Sequence, residues 1–282
     1  MITVRLTGGM GNQMFQFAAA RRLALRHQAK LRLSVNWFNT SRGRHRTYRL
    51  GEFHLAGDET IETTDAPWEE VTAPNRSMLY TDRGYRFYRE VLDLPDGAKL
   101  RGYFAGEKYF ADVQGRIRTD FQLRDPLRSG RIAGEVETLK RPGRSLVSVH
   151  VRRGDYLAVR SDGALVIDIG RTRAAMARFH KAEFIVFSDD RSWCEEHLVG
   201  DCVSMSPFES DLDDLIAMSL CDHHIIANST FSWWGAWLNP DPGKVVMTPR
   251  NWHAGQWPGH PSTVPAGEDD PDDPGPSTWI RY

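Results

Sequence analysis

No apolar run in the 282 residues approaches the roughly 18 that a membrane-spanning helix needs. Cysteine is scarce. Cys194, Cys202 and Cys221 have no metal-ligand spacing and leave one thiol over, which excludes a disulfide framework. Internal repeats and heptad arrays are absent, and Met1 leads straight into a strand pattern, so no signal peptide is expected. These absences predict a soluble, reduced, cytoplasmic protein. Net charge is also lacking: 36 Lys and Arg against 37 Asp and Glu leave −1, which by itself implies no polyanion partner. The distribution is uneven, however. Residues 1–51 hold no acid but ten Arg and Lys. Aromatic interleaving there is sparse (Trp37, Phe38, Tyr48) and no nucleic-acid-binding motif occurs, so a small anion is a better ligand than nucleic acid.

What is present is organised around Ser148–Tyr156. Leu146, Val147, Val149 and Val151 alternate with polar residues and predict a buried strand ending near Gly154. His150, Arg152, Arg153 and Asp155 then sit at or just past the strand's C-terminal end, where open α/β sheets bind ligands. Two adjacent guanidiniums suit a doubly charged anion, and Asp155 can orient one of them. A surface strand end with a salt bridge is the plainer alternative.

The N-terminus repeats the pattern. Ile2, Val4 and Leu6 predict a strand, Thr7–Gln13 a glycine loop, and Met14–His27 a helix, the layout for an anion at a helix start. A dinucleotide fingerprint fails, because Met14 stands where its third glycine belongs and no acid follows the next strand, Leu31–Val35. Asn36–Tyr48 reads as a loop and 56–98 as irregular. A helix is expected over Ile132–Lys140, stopped near Pro142-Gly143.

Further on, Phe184–Phe187 predicts a short strand followed by Ser188-Asp189-Asp190. Helix capping explains one of these acids but not two. A carboxylate there can accept hydrogen bonds from guanine. Glu209–Cys221 reads as an amphipathic helix and Arg171–His180 as another. His223 and His224 are adjacent, hence on opposite faces of a strand and no metal pair. Ile225–Ala227 predicts a strand, followed by Asn228-Ser229-Thr230-Phe231-Ser232 at the start of a tryptophan-rich helix. Three hydroxyls at such a junction form a diphosphate cradle. Val245–Met247 is a last strand. Residues 255–282, with six prolines and five acids, predict an irregular arm onto which Trp279-Ile280 can re-dock.

Three of these stretches resemble one known family. His150-Val-Arg152-Arg153-Gly154-Asp155-Tyr156, Gly9-Met-Gly11-Asn12-Gln13-Met-Phe-Gln16 and Ala227-Asn228-Ser229-Thr230-Phe231-Ser232-Trp-Trp-Gly-Ala-Trp-Leu238 are similar to motifs of the α-1,2-fucosyltransferases, glycosyltransferase family 11. Phe187-Ser188-Asp189-Asp190 and Pro249-Arg250-Asn251-Trp252 fit the same pattern. The chain departs from it where Phe104, Ala105 and Gly106 replace Trp, Gln and Ser. It departs again near Ile167-Asp168-Ile169, where the family has a tyrosine pair.

The resemblance implies an α/β, GT-B fold of two Rossmann-like domains facing across a cleft: an acceptor-side domain over 1–143, a GDP-sugar domain over 144–254 and an arm over 255–282. It implies an inverting transfer of L-fucose from GDP-β-L-fucose to the 2-hydroxyl of a galactose-like oligosaccharide or polysaccharide acceptor. No metal, no other cofactor and no nucleic acid are expected, and a bacterial source is guessed. Arg152 becomes the catalytic cation with Arg153 in support, and Asp155 or His150 the weak base. Gly11, Asn12, Gln13, Asp189 or Asp190, and Asn228–Ser232 become donor-binding residues. The competing reading is a GDP-sugar or carbohydrate-binding protein with altered or lost activity.

Overall fold

The computed structural model describes residues 1–82, 84, 86–159, 166–250, 252 and 273–282. The segment 160–165 after the organising strand, Asn251 of the last motif, and 255–272 of the C-terminal arm lie outside the described residues. The chain divides into two compact units, Met1–Pro126 and Leu127–Tyr282.

The first unit runs β1 (Ile2–Arg5), α1 (Met10–Arg26), β2 (Leu31–Ser34), β3 (Ile61–Thr64), α2 (Trp68–Thr72), β4 (Leu79–Thr81), β5 (Lys99–Arg101) and α3 (Gln114–Asp120). Its sheet has the order β3-β2-β1-β5-β4, with every pair parallel. Ile2, Val4, Leu31 and Leu33 are fully buried beside Met14, Phe17, Ala18 and Leu23 of α1. Arg21 reaches from α1 to Asp120 (3.0 Å) and Asp58 (2.5 Å), an ion-pair cluster beneath the helix. The region expected to be irregular, 56–98, thus supplies both outer strands, β3 and β4.

The second unit runs α4 (Pro126–Leu139), β6 (Ser145–Val151), α5 (Gly154–Val159), α6 (Ile169–Met176), β7 (Ala182–Ser188), α7 (Arg191–His197), β8 (Val203–Met205), α8 (Asp211–Ser219), β9 (His223–Ile225), α9 (Thr230–Leu238), β10 (Val246–Thr248) and β11 (Ile280–Arg281). The sheet order is β11-β10-β9-β6-β7-β8, again all parallel. This is the doubly-wound order of a nucleotide-binding domain, with its switch point between β6 and β9. Val147, Val149, Val186 and Ile225 form the core below that point.

The units part between Pro126 and Leu127, not at 143. Helix α4 starts six residues earlier than expected and belongs to the second unit. Its Ile132 and Val136 are buried, and Arg128 and Arg131 both bind Asp213 of α8 at 2.6 Å. The tail 273–282 is docked, because Trp279 packs on Trp233 at 5.4 Å, Pro274 accepts from the Trp233 indole at 3.1 Å, and β11 extends the sheet. As the spread of tryptophans around α9 predicts, Trp233, Trp234 and Trp237 are all buried. Gly235 lets α8 approach, since a Cβ there would sit 2.7 Å from that of Met218.

Candidate functional site

Three parallel strands bring the chemistry together in the second unit. The loop after β6 carries Arg152 and Arg153, the loop after β7 carries Asp189 and Asp190, and the loop after β9 carries Asn228–Thr230. Sheet register sets His150 opposite Phe187, and Val149 opposite both Val186 and Ile225. The strand ends are therefore level, and the loops leave from one edge.

Arg152 is clamped. Asp155 takes its Nε and Nη2 at 3.0 and 2.8 Å, the parallel two-bond geometry of a guanidinium–carboxylate pair. Asp189 takes Nη1 at 3.0 Å. Burial works against its charge, but Asp189 and Asp155 outweigh burial and raise its pKa. Three of its five N–H donors are engaged among the described residues, which leaves two. Arg153 donates its backbone N–H to Asp189 (2.9 Å) and its Nε to Asp190 (3.0 Å), while its guanidinium lies 3.6 Å over the Trp193 ring.

Two guanidiniums thus face three carboxylates, one more than the Asp155 that the sequence offered as their partner plus either acid after β7. Both oxygens of Asp189 are engaged, whereas Asp190 binds Arg153 through Oδ2 alone. Gly154 makes room for this set. A Cβ there would stand 2.8 Å from Asp189 Oδ2.

His150 is 6% exposed, its Nδ1 has no hydrogen-bond partner among the described residues, and its ring lies 5.6 Å from Phe231. Burial, with Arg152 adding to it, lowers its pKa to about 3. It is a neutral wall of the site and is removed from solvent. Asp155, with 40% of its side chain exposed, remains reachable.

The third loop is tied to the first. Tyr156 donates its hydroxyl to the Asn228 carbonyl at 2.7 Å, a link that no sequence signal announced. Ser229 stands at the N-cap of α9 in extended conformation, and its side chain does not cap the helix. Ser232 departs from expectation. It is fully buried, and its hydroxyl points back to Ser229 and Ala227 carbonyls at 3.3 and 3.5 Å. The cradle is thereby reduced to Ser229, itself only 7% exposed, and Thr230, with Phe231 half-buried beside them.

In the first unit α1 begins at Met10, four residues earlier than expected, so Gly11, Asn12 and Gln13 form its first turn. Gln13 is fully buried and structural. Its amide donates to the Gly8 and Thr47 carbonyls and accepts from the Arg49 N–H. Gly11 is buried as well. Only Asn12 of the three is partly exposed. Gly8, at φ +76°, brings the backbone so close that a Cβ would lie 2.7 Å from Asn12 Nδ2. Phe104, Ala105 and Gly106 are buried, so the departure from the family pattern there falls in the core. Among the described residues no three His, Cys, Asp or Glu side chains converge as metal ligands.

Two Rossmann-like units, each with ligand-ready loops at the C-terminal edge of a parallel sheet, define a protein of the GT-B class. Solved structures agree. The fucosyltransferase NodZ from Bradyrhizobium superposes with a TM-score of 0.54 at 16% identity, covering 83% of this chain and 91% of that one. The sequence model of the family described as Glycosyl transferase family 11 matches residues 87–260. The Escherichia coli O-antigen biosynthesis glycosyltransferase WbnK is 30% identical, over 89% of this chain and 94% of its own. An Escherichia coli alpha-1,2-colitosyltransferase is 29% identical over 100% and 98%. Human galactoside alpha-(1,2)-fucosyltransferase 1 is 30% identical over 84% and 65%. The chain belongs to glycosyl transferase family 11, the α-1,2-fucosyltransferase family.

Proposed function

We propose that this protein transfers L-fucose from GDP-β-L-fucose to the 2-hydroxyl of a galactose-like acceptor, with inversion and without a metal ion. The observation that carries the reading is Arg152, fixed by Asp155 and Asp189 at the β6/β9 switch point with N–H groups to spare. In the reaction the bond from the fucose anomeric carbon to the β-phosphate oxygen breaks, and one to the acceptor oxygen forms. Negative charge grows on the departing GDP. A preorganised guanidinium there lowers the barrier by about 3 kcal/mol, on the scale of one oxyanion-hole donor. Arg153, held flat on Trp193, supports the diphosphate.

The start of α9 offers N–H donors to the same group, and Ser229 and Thr230 offer their hydroxyls, the Ser229 N–H being held by the Ala227 carbonyl. Asp190 Oδ1 is the acceptor we assign to guanine, and Asn12, partly exposed in the first turn of α1, keeps the donor-binding role that the family resemblance gives it. Asp155 receives the acceptor's proton, because its carboxylate is exposed while His150 is buried and binds protons too weakly. No described helix is long and apolar enough to cross a membrane, and all three thiols are unpaired. We place the reaction in the cytoplasm.

A second reading, in which colitose replaces fucose, is favoured by the full-length match to the colitosyltransferase. The test is incubation with GDP-fucose and a galactoside panel, reading GDP release and product linkage by NMR. An α-1,2-fucosylated galactoside is expected. GDP binding with no turnover on any galactoside would favour the non-catalytic binding protein instead.

A further inference from the structure

The first unit holds a pocket of about 550 Å³ at the C-terminal edge of its own sheet, beside the β1/β5 switch point. Arg5 from the end of β1, Arg101 from the end of β5 and Arg42 from the loop after β2 line it, with Trp37, Thr7 and Tyr103. The contrast with the second unit is chemical. Arg152 and Arg153 are matched by carboxylates, whereas none of Arg5, Arg42 and Arg101 has a side-chain hydrogen bond or ion pair among the described residues. Arg5 is half-buried with its guanidinium 5.9 Å from the Trp68 ring, and its Nε is shielded from solvent with no hydrogen-bond partner among the described residues. Burial first, then repulsion from Arg101 and Arg42, lowers the Arg5 pKa. Glu69 opposes this. Three guanidiniums thus line one pocket, and an anion placed among them would offset the burial that Arg5 meets there.

We infer that this pocket binds a negatively charged group, phosphate or carboxylate, carried by the acceptor sugar. Trp37 and Tyr103 are aromatic faces for the apolar side of a pyranose ring, and the volume suits an oligosaccharide end rather than one ion. The inference rests on the first unit being the acceptor side of the proposed transferase. Binding without donor tests it separately from catalysis.

Calorimetry on the full chain compares lactose, lactose 1-phosphate and a galactosyl-glucuronic acid, for the wild type and for the Arg42→Gln/Arg101→Gln double variant. Both substituted side chains are exposed, so the variant is expected to fold. For the wild type at least one charged disaccharide is expected to bind about tenfold or more tightly than lactose, about 1.4 kcal/mol, with an affinity that falls as salt rises. The phosphate arm winning points to a reducing-end phosphate, and the carboxylate arm winning to an acidic sugar. The variant is expected to bind all three alike. Equal binding of the three by the wild type would overturn the inference. So would a parallel loss of GDP affinity in the variant, which would assign the pocket to the donor. Absence of fucosyl transfer alongside charge-selective binding would sink the proposed reaction and leave this inference standing.

Discussion

Gly154→Ala is the sharpest single-atom perturbation of the site. A methyl at this position meets Asp189 Oδ2 at 2.8 Å and Cγ at 3.1 Å, where ordinary contact begins near 3.4 Å. Asp189 must retreat by about 0.6 Å. It cannot swing freely, because Oδ1 accepts from the Arg153 N–H at 2.9 Å and Oδ2 forms an ion pair with Arg152 Nη1 at 3.0 Å. A hydrogen bond to a charged group contributes about 1.5–3 kcal/mol, and the shift weakens rather than deletes one such bond and one ion pair. The net loss is therefore about 1–2 kcal/mol of positioning at Arg152. That is roughly five- to thirtyfold in kcat/KM, with a small drop in Tm. Alanine is the better helix former, so a purely local account predicts a gain in stability instead. Steady-state transfer kinetics with GDP-fucose and thermal unfolding decide. Wild-type kcat/KM in the variant would refute the idea that Asp189 holds Arg152 in register.

Acid should destabilise the protein through two histidines. His224 is fully buried, accepts from Asn239 Nδ2 at Nε2 (3.0 Å), and so donates from Nδ1 to Ser148 Oγ (2.8 Å). Burial, then Lys244 and His223, lowers its pKa to about 3, as burial and Arg152 do for His150. Each folded value lies below the unfolded one, near 6.5. The stability is therefore complete above pH 6.5 and is lost as pH falls toward 3, by about 2 kcal/mol per histidine at pH 5. Denaturant titrations at pH 7 and 5 should show the loss, and His224→Gln should lessen it; an unchanged slope in that variant rejects the assignment. Ser232→Ala is expected to cost about 1 kcal/mol of stability and to change GDP affinity by no more than about twofold. A tenfold weaker Kd would return that hydroxyl to the phosphate cradle.

Strand β6 was legible because Leu146, Val147, Val149 and Val151 make it apolar and β-branched, and charged residues follow its end. The loop residues Arg152, Arg153, Asp189 and Asn228 could be placed at strand ends for the same reason. Strands β3 and β4 were not legible. Ile61-Glu-Thr-Thr and Leu79-Tyr-Thr are short outer strands with one or two apolar residues each, too few for a period to emerge. Residue roles failed wherever a partner lies far along the chain. Gln13 reads as a ligand-facing amide until Thr47 and Arg49 claim it. The arginine pair reads as having Asp155 alone for a partner until Asp189 and Asp190, each 37 residues on, pair with Arg152 and Arg153. Pro142-Gly143 is a credible domain break, yet Asp213 draws α4 into the second unit through two arginines contributed from 70 to 90 positions earlier (82 and 85 by count).

The central claim is that the guanidiniums after β6 receive the nucleotide's diphosphate. Calorimetric titration of GDP into the wild type and into the Arg152→Ala/Arg153→Ala double variant tests it directly. A loss of about a hundredfold or more in affinity, with near-native circular dichroism, is the predicted result. GDP binding by the folded variant at the wild-type Kd would contradict it.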